Sequence, residues 1–594
     1  MPLTLSQGFV LFKVIAGLAV VSMSSLWTGE AGAAAAPEVL FPAPAWHGAS
    51  EKHIAPPGER WITPAEKSGF VNSPSYTETV AFLASIAAAS DLVTLHTFGK
   101  SYQGRDLVYA LARKPGPPRP VVLVQAGIHA GEIDGKDAGL MLLRDIALRG
   151  RADLLDRVDL VFVPILNVDG HEHADLLGRP GQRGPGRKGA RSNAQGLDLN
   201  RDYARLQSPE IAAVVQLLRR FDPALYIDVH VSDGPDYQYD VTYTFAGWGT
   251  FARSPATAGW LMGEYSADVN RALAAAGHLP DVYPSWINES APWQGLRTSA
   301  EGPRYSTGYG DFTGVPTVLV ENHRMKPYRQ RVLGTYVLLA QSLDTVGRAH
   351  ERIAQAKSAD RSARPATLMV KWERDSNPSA TKMFKGYRYE SYRSPASGTR
   401  ELRWTGEAQD MALPVFGVTS TREVAIPRAW WIAPQHRDLI AALRAHGIRM
   451  DVLDDARTMQ LEVVRAASGK AGEKLERTRR SVALPAGSVR IPADQPFHLL
   501  AAALLDPESD DSFHAHGLFA QALPAETGLP RHLLAPLADK LLAHDADLRT
   551  AFEQAIAADP ALAADPQARL RWIFARSPFD ERARWTYPVY AERD

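Results

Sequence analysis

The 594-residue sequence contains no cysteine. That excludes disulfides, thiolate metal ligands, a cysteine nucleophile and any CxxC redox motif. A metal must then rest on His, Asp and Glu, and a nucleophile on oxygen, nitrogen or a metal-bound water. Net charge is also missing, with 66 Lys and Arg against 66 Asp and Glu. The electrostatic footprint of a nucleic-acid binder is therefore absent, and no nucleic-acid partner is expected. No internal repeat is visible, and no stretch approaches the ~18 consecutive apolar residues of a membrane span. Apolar residues at 45% and charged residues at 22% are ordinary for a globular chain. Long disorder, a coiled coil and a collagen-like rod are excluded.

What is present begins with an apolar run, VIAGLAVVSMSSL, after Lys13, followed by the small residues AGAAAAPE with A-x-A patterns ending at Ala33 or Ala36. This order predicts a cleaved signal peptide over residues 1–36, hence a periplasmic or extracellular protein with no stable membrane association after cleavage. Residues 37–75 read as an extended lead-in. Residues 76–350 alternate strand-like and helix-like segments. The runs VVLVQAG (121–127), VDLVFVPIL (158–166), LYIDV (225–229) and TVLVE (317–321) read as buried strands. Ser208-Pro209 offers an N-cap and an N1 proline before Ile211, Val214, Val215 and Leu218 at helical spacing. The pattern predicts an α/β fold, a mostly parallel or mixed sheet with helices on both faces. Residues 350–365 read as a polar linker. Residues 366–594 read as a β-rich accessory region with a helical tail.

Chemistry-bearing residues cluster at the predicted strand ends. His129 and Glu132, in H-A-G-E, follow VVLVQAG; in isolation such a pair is a loop His beside a solvated Glu. In open α/β sheets, however, ligands bind beyond the carboxyl ends of the strands. His230 stands after LYIDV, and two His plus one Glu are a three-ligand set that leaves a fourth zinc position for water. Glu321 ends TVLVE. It is either half of a buried salt bridge, with Arg324 as partner, or a general base raised by burial toward the working pH. The loop carrying Arg179, Arg183, Arg187, Lys188 and Arg191 reads mainly as solvated. Asn200-Arg201 differs, because a forked guanidinium beside an amide suits bidentate capture of a carboxylate. Asp198 is placed to accept the second ring N–H of a ligand His.

This constellation resembles the carboxypeptidase A-like family of zinc metallocarboxypeptidases. HxxE, a distant His and a later strand-end Glu match His129, Glu132, His230 and Glu321 in order. The family's Asp-x-Asn-Arg matches Asp198, Asn200 and Arg201. Its Asn-Pro-Asp-Gly turn appears as Asn167-Val168-Asp169-Gly170, with Val for Pro. An upstream G-x-S-x-x-G-R-x-L pattern appears as Gly99, Ser101, Gly104, Arg105 and Leu107. The likeness covers roughly residues 75 to 345.

The resemblance implies one Zn2+ per chain on His129, Glu132 and His230, with Glu321 activating water and then protonating the leaving amine. It implies that Asn200 and Arg201 hold the free C-terminal carboxylate of a peptide substrate. It gives Arg191, with Arg187 second, the scissile carbonyl. Tyr305 and Tyr309 are the candidates for a substrate-contacting tyrosine, although both lie nearer Glu321 than the family spacing. The implied activity is hydrolysis of C-terminal peptide bonds. Rival readings are a zinc amidohydrolase or deacylase acting on acylated amino acids or cell-wall peptides, and a non-catalytic peptide-binding protein on the same scaffold. His514 and His516 carry no comparable constellation and read as surface or packing residues.

Overall fold

The computed structural model describes residues 45–175, 178–466, 475–517, 531–577 and 587–593. The expected signal peptide lies outside them. Eight strands form the central sheet: β1 (Val93–Lys100), β2 (Asp106–Ala112), β3 (Val121–Ala126), β4 (Asp159–Val163), β5 (Leu225–Val231), β6 (Val241–Thr244), β7 (Pro280–Val282) and, after the two-residue β8 (Leu296–Arg297), β9 (Thr317–Asn322). Their spatial order is β1-β2-β4-β3-β5-β9-β6-β7. The middle, β4-β3-β5-β9, is parallel, and antiparallel pairs flank it. The sheet is thus mixed, and the α/β expectation holds.

Parallel central strands are covered on both faces, so their sequence is apolar throughout rather than alternating. Val122 and Val124 of β3 face the core built with the helices Asp134–Leu148 and Tyr328–Ser362. Leu123 faces the opposite core with Ile211, Val214 and Leu218 of the helix Pro209–Phe221. That helix starts where Ser208-Pro209 predicts, with the Ser208 hydroxyl accepting from the Ile211 N–H.

Two segments differ from the sequence reading. The lead-in is not extended over its described part: it carries a 3-10 turn at Ala49–His53 and a capped helical turn at Pro64–Lys67. The segment read as a linker is the end of the 35-residue helix Tyr328–Ser362. Its polarity misleads because its inward face is ionic. Lys357 donates to Asp222, and Asp360 accepts from the backbone of Ala256 and Thr257.

Beyond it lie β10 (Thr367–Arg374), β11 (Ala380–Arg393), β12 (Arg400–Phe416) and β13 (Val418–Ala425), then a six-stranded sheet that ends with Val589–Glu592. The accessory region is therefore β-rich, and helices between Arg531 and Phe574 pack around Leu548, Phe552 and Ile573. It is stitched to the rest of the chain. β12 pairs with β8, and Trp430 and Leu500 share one core with Leu218 and Tyr226. No helix among the described residues is long and apolar enough to cross a membrane.

Candidate metal centre

The HAGE turn follows β3 directly, and its glycine has a steric reason. A Cβ on Gly131 would stand 2.4 Å from the Gly189 carbonyl oxygen and 2.6 Å from Arg179 Cδ. Only glycine lets the arginine-bearing loop close over the turn at that distance. The turn is also buttressed from behind. Ser101 and Arg105 both bind the buried Asp169 carboxylate, at 2.8 and 2.6 Å, and Asn167 Oδ1 accepts from the Gly170 N–H. Two motifs far apart in sequence therefore brace one corner.

His129, Glu132 and His230 come together there, each offering a ligand atom within 4.8 Å of the others. His129 Nε2 lies 3.1 Å from Asp198 Oδ1, and His230 Nε2 lies 2.9 Å from Asp228 Oδ2. These carboxylates place the ring protons on Nε2. Both Nδ1 lone pairs then point inward, 3.2 Å apart, with Glu132 oxygens 3.1 and 2.9 Å away. The two Nδ1 atoms and Glu132, which also accepts from Arg179 and from the Val231 N–H, thus converge, and this is a ligand set that suits a divalent cation such as zinc. Burial alone would push the Glu132 carboxyl up, but His129, Arg179 and the imidazole contacts hold it well below the ordinary carboxylate value.

Glu321 stands beside this cluster on β9. It is half-buried; its Oε2 is shielded from solvent and has no hydrogen-bond partner among the described residues. The Arg324 salt bridge is not made, because that guanidinium pairs with Asp233 at 3.1 Å. Burial, reinforced by Glu132 and Asp233 against the opposing pull of His230, pushes the Glu321 carboxyl up to about 8.

Asp198 opens the 3-10 turn Leu199–Arg201 and accepts from the Asn200 N–H. Its other oxygen accepts from Arg191 Nε at 2.8 Å, so one carboxylate ties Arg191 to His129. The buried Asn200 accepts from the Ser306 N–H through Oδ1. Arg201 donates to the Asn200 carbonyl and lies over the Tyr305 ring at 4.4 Å. No carboxylate stands within ion-pair distance of Arg201 among the described residues. Arg187 points elsewhere, donating to the Ala174 carbonyl.

Tyr309 is a correction. It is 3% exposed, its ring lies against Tyr203, and its hydroxyl meets His446 Nδ1 at 3.2 Å. Tyr305 is the N-cap of the helix Ser306–Thr313, with extended backbone, whereas Tyr309 lies within the helix and is buried in the core.

Three residues escaped the sequence reading. Asp228 alternates with His230 along β5 and was hidden in an apolar run. Arg179, read as solvated, places Nη2 2.9 Å from Glu132 Oε1. Tyr283 follows β7, and burial, then the charge of Glu321, holds its phenol well above the usual range. None of the three has a signature in local sequence. His514 packs on Tyr587, and His516 stands 3.7 Å from Asp511.

Comparison with known proteins agrees with this geometry. The family described as zinc carboxypeptidase matches residues 79–255, a span that holds His129, Glu132, Asp198, Asn200, Arg201 and His230. Carboxypeptidase 2 of Trichophyton equinum is 22% identical over 499 residues, covering 77% of this chain and 86% of that protein. Carboxypeptidase Z of Mus musculus is 31% identical over 145 residues, covering 23% of this chain and 22% of that protein. Among solved structures, a metallo-carboxypeptidase from Burkholderia cenocepacia aligns with a TM-score of 0.35 and 20% identity, over 46% of this chain and 69% of that one. The matched span, which holds the ordered motifs, is similar to the zinc carboxypeptidase family, and the Trichophyton equinum carboxypeptidase aligns along most of its own length.

Proposed function

We propose that this protein is a zinc-dependent carboxypeptidase that removes residues from the free C-termini of peptides. The observation that carries this reading is the convergence of His129 Nδ1, His230 Nδ1 and Glu132 on one point, with Glu321 beside it. Zinc held by these three residues would supply Lewis acidity, lowering the pKa of water and polarising a carbonyl.

The chain's own residues do the rest. Glu321, with an unpartnered oxygen and a carboxyl raised by burial, takes a proton from the attacking water and returns it to the leaving amine. Arg191, anchored through Nε to Asp198, keeps its terminal nitrogens for the oxyanion. Arg201, steadied by Tyr305 and by the Asn200 carbonyl, receives the terminal carboxylate together with the Asn200 amide. We assign catalysis to residues 76–350 and export to the segment 1–36. Residues 366–594 are the accessory region.

The test is a paired digestion. Peptides with free and amidated C-termini are incubated with metal-analysed wild type and with Glu321→Gln, and products are read by mass spectrometry. Stepwise loss of C-terminal residues from the free acid only, abolished in a variant that keeps its metal, is expected. Equal cleavage of amidated peptides would reject carboxylate capture.

A further inference from the structure

Three consecutive residues run beside the pair Asn200-Arg201. The Arg304 carbonyl accepts from the Tyr203 N–H at 3.3 Å, the Tyr305 ring lies against the Arg201 guanidinium at 4.4 Å, and the Ser306 N–H donates to Asn200 Oδ1 at 2.9 Å. Among the described residues no carboxylate pairs with Arg201, so its position depends on this ring and on the Asn200 carbonyl.

Tyr305 is in turn held from the accessory region. Arg304 Nε donates to Asp511 Oδ1 at 2.6 Å, and its Nη2 donates to the Asp510 carbonyl at 3.1 Å. One planar guanidinium thus makes a two-point grip on a loop 207 residues further along the chain. Asp511 is 4% exposed, and a carboxylate so deeply buried needs its counter-charge. A Cβ on Gly302 would stand 1.6 Å from Asp511 Oδ2, so glycine there lets the acid close on the turn before Tyr305. The Tyr305 N–H bonds to the Gly302 carbonyl across that turn, at 3.3 Å. The Arg304 guanidinium also lies 6.0 Å from the centre of the Tyr305 ring.

The grip matters because there is space beside the ring. A cavity of about 250 Å³ is bordered by Arg304, Tyr305, Trp372 and Asp511. A close-packed ring would keep its place without a tether, whereas a ring next to a void of this size has room to shift once Arg304 is released.

We propose, on the reading that Arg201 receives the substrate carboxylate, that Asp511 of the accessory region is a positioning residue for that site: through Arg304 it keeps Tyr305 against Arg201. The accessory region then takes part in recognising a free C-terminus. Asp511 touches no substrate, and its effect falls on carboxylate binding rather than on proton transfer at Glu321.

The test compares wild type with Asp511→Asn, which keeps the shape of the side chain. Its probes are N-acetylated dipeptides ending in Phe, Leu, Lys and Glu, each as free acid and as amide. Affinities are read by calorimetry in a Glu321→Gln background, where no turnover is needed, and KM and kcat are read in the active chain. Free-acid affinity should fall, and KM rise, by about 3- to 10-fold, the scale of one lost cation–π support, with kcat and amide binding changed by less than about 2-fold. Arg304→Leu combined with Asp511→Asn removes both charges together, leaves local net charge unchanged, and should show the same loss. With Arg201→Ala already in place, Asp511→Asn should cost nothing further. Arg219→Ala breaks a different contact with the accessory region, to the Arg444 and Ala445 carbonyls, and should leave the acid-to-amide ratio at the wild-type value. A ratio that shrinks equally in Arg219→Ala would mean general loosening and overturns the proposal, as does an additive loss on Arg201→Ala. Wild type that binds acid and amide alike overturns the carboxylate reading together with the proposal. A preference for the acid that survives unchanged in Asp511→Asn overturns the proposal alone.

Discussion

His230 and Glu321 are direct register partners on adjacent parallel strands, β5 and β9. A parallel ladder sends side chains of paired residues to the same side, so the imidazole of the candidate metal centre and the unpartnered carboxylate arrive together. The pairing continues down the sheet through Asp228 and Leu319. A one-residue slip would turn Glu321 to the other face and separate the two. Neither side chain depends on a loop for its position, which is how a rigid scaffold holds a reacting group within tolerance.

Glu321→Gln keeps the shape of the side chain and removes its proton-accepting capacity. Turnover of a free-acid peptide should fall by about 10²-fold or more, the usual scale of general acid–base contributions. Bound metal, read by elemental analysis, should stay at the wild-type level. A variant that turns over like wild type would remove Glu321 from the proton-transfer role.

Arg201→Ala takes away the one guanidinium of the Asn200-Arg201 pair while leaving Asn200 anchored to the Ser306 N–H. The loss should appear mainly in KM for peptides with a free carboxylate, by about 10-fold or more. An amidated peptide, already a poor substrate, should lose little further. The diagnostic quantity is the ratio of kcat/KM between acid and amide, which must shrink.

How far the sequence carried depends on whether the signal was local. The strand runs were readable because parallel strands buried on both faces are apolar without alternation, and the helix start at Ser208-Pro209 because capping is a local contact. His129, Glu132 and His230 were readable as strand-end residues, and Glu321 for the same reason. Asp228 was not, since a carboxylate inside LYIDV makes sense only once His230 is known to need its partner. Tyr309 was misplaced because its spacing from Glu321 says nothing about helix rotation. The 350–365 segment was mistaken for a linker because the ionic partners of its inward face, Asp222 and the Ala256–Thr257 backbone, lie about 100 or more residues away in sequence.

Asp228→Asn tests how the metal site is oriented. The carboxylate accepts from His230 Nε2, whereas an amide can turn its NH2 toward that nitrogen and move the ring proton to Nδ1, facing the ligand cluster. Zinc affinity, measured against a competing chelator, should fall by about 10- to 100-fold. Asn at this position with unchanged affinity would mean that the tautomer is fixed by something other than Asp228.

His446 makes acid stability a matter of one buried imidazole. It is 0% exposed, between Tyr309 and the Ala204 carbonyl, and burial lowers its pKa from 6.5 to about 4. The folded state therefore binds this proton less readily than the unfolded chain. The stability it contributes is present above pH 6.5 and is lost as the pH falls from there toward 4. The shift corresponds to about 3 kcal/mol at full expression. His53, His171 and His323 are depressed in the same direction, so wild type should weaken steeply across this window. His446→Gln removes one titration and leaves these others. Urea midpoints from pH 7 down to 4.5 should therefore fall less steeply for the variant, although it starts from a lower value at pH 7. Parallel profiles for the two proteins would show that this imidazole takes up its proton as readily in the folded state as in the unfolded chain.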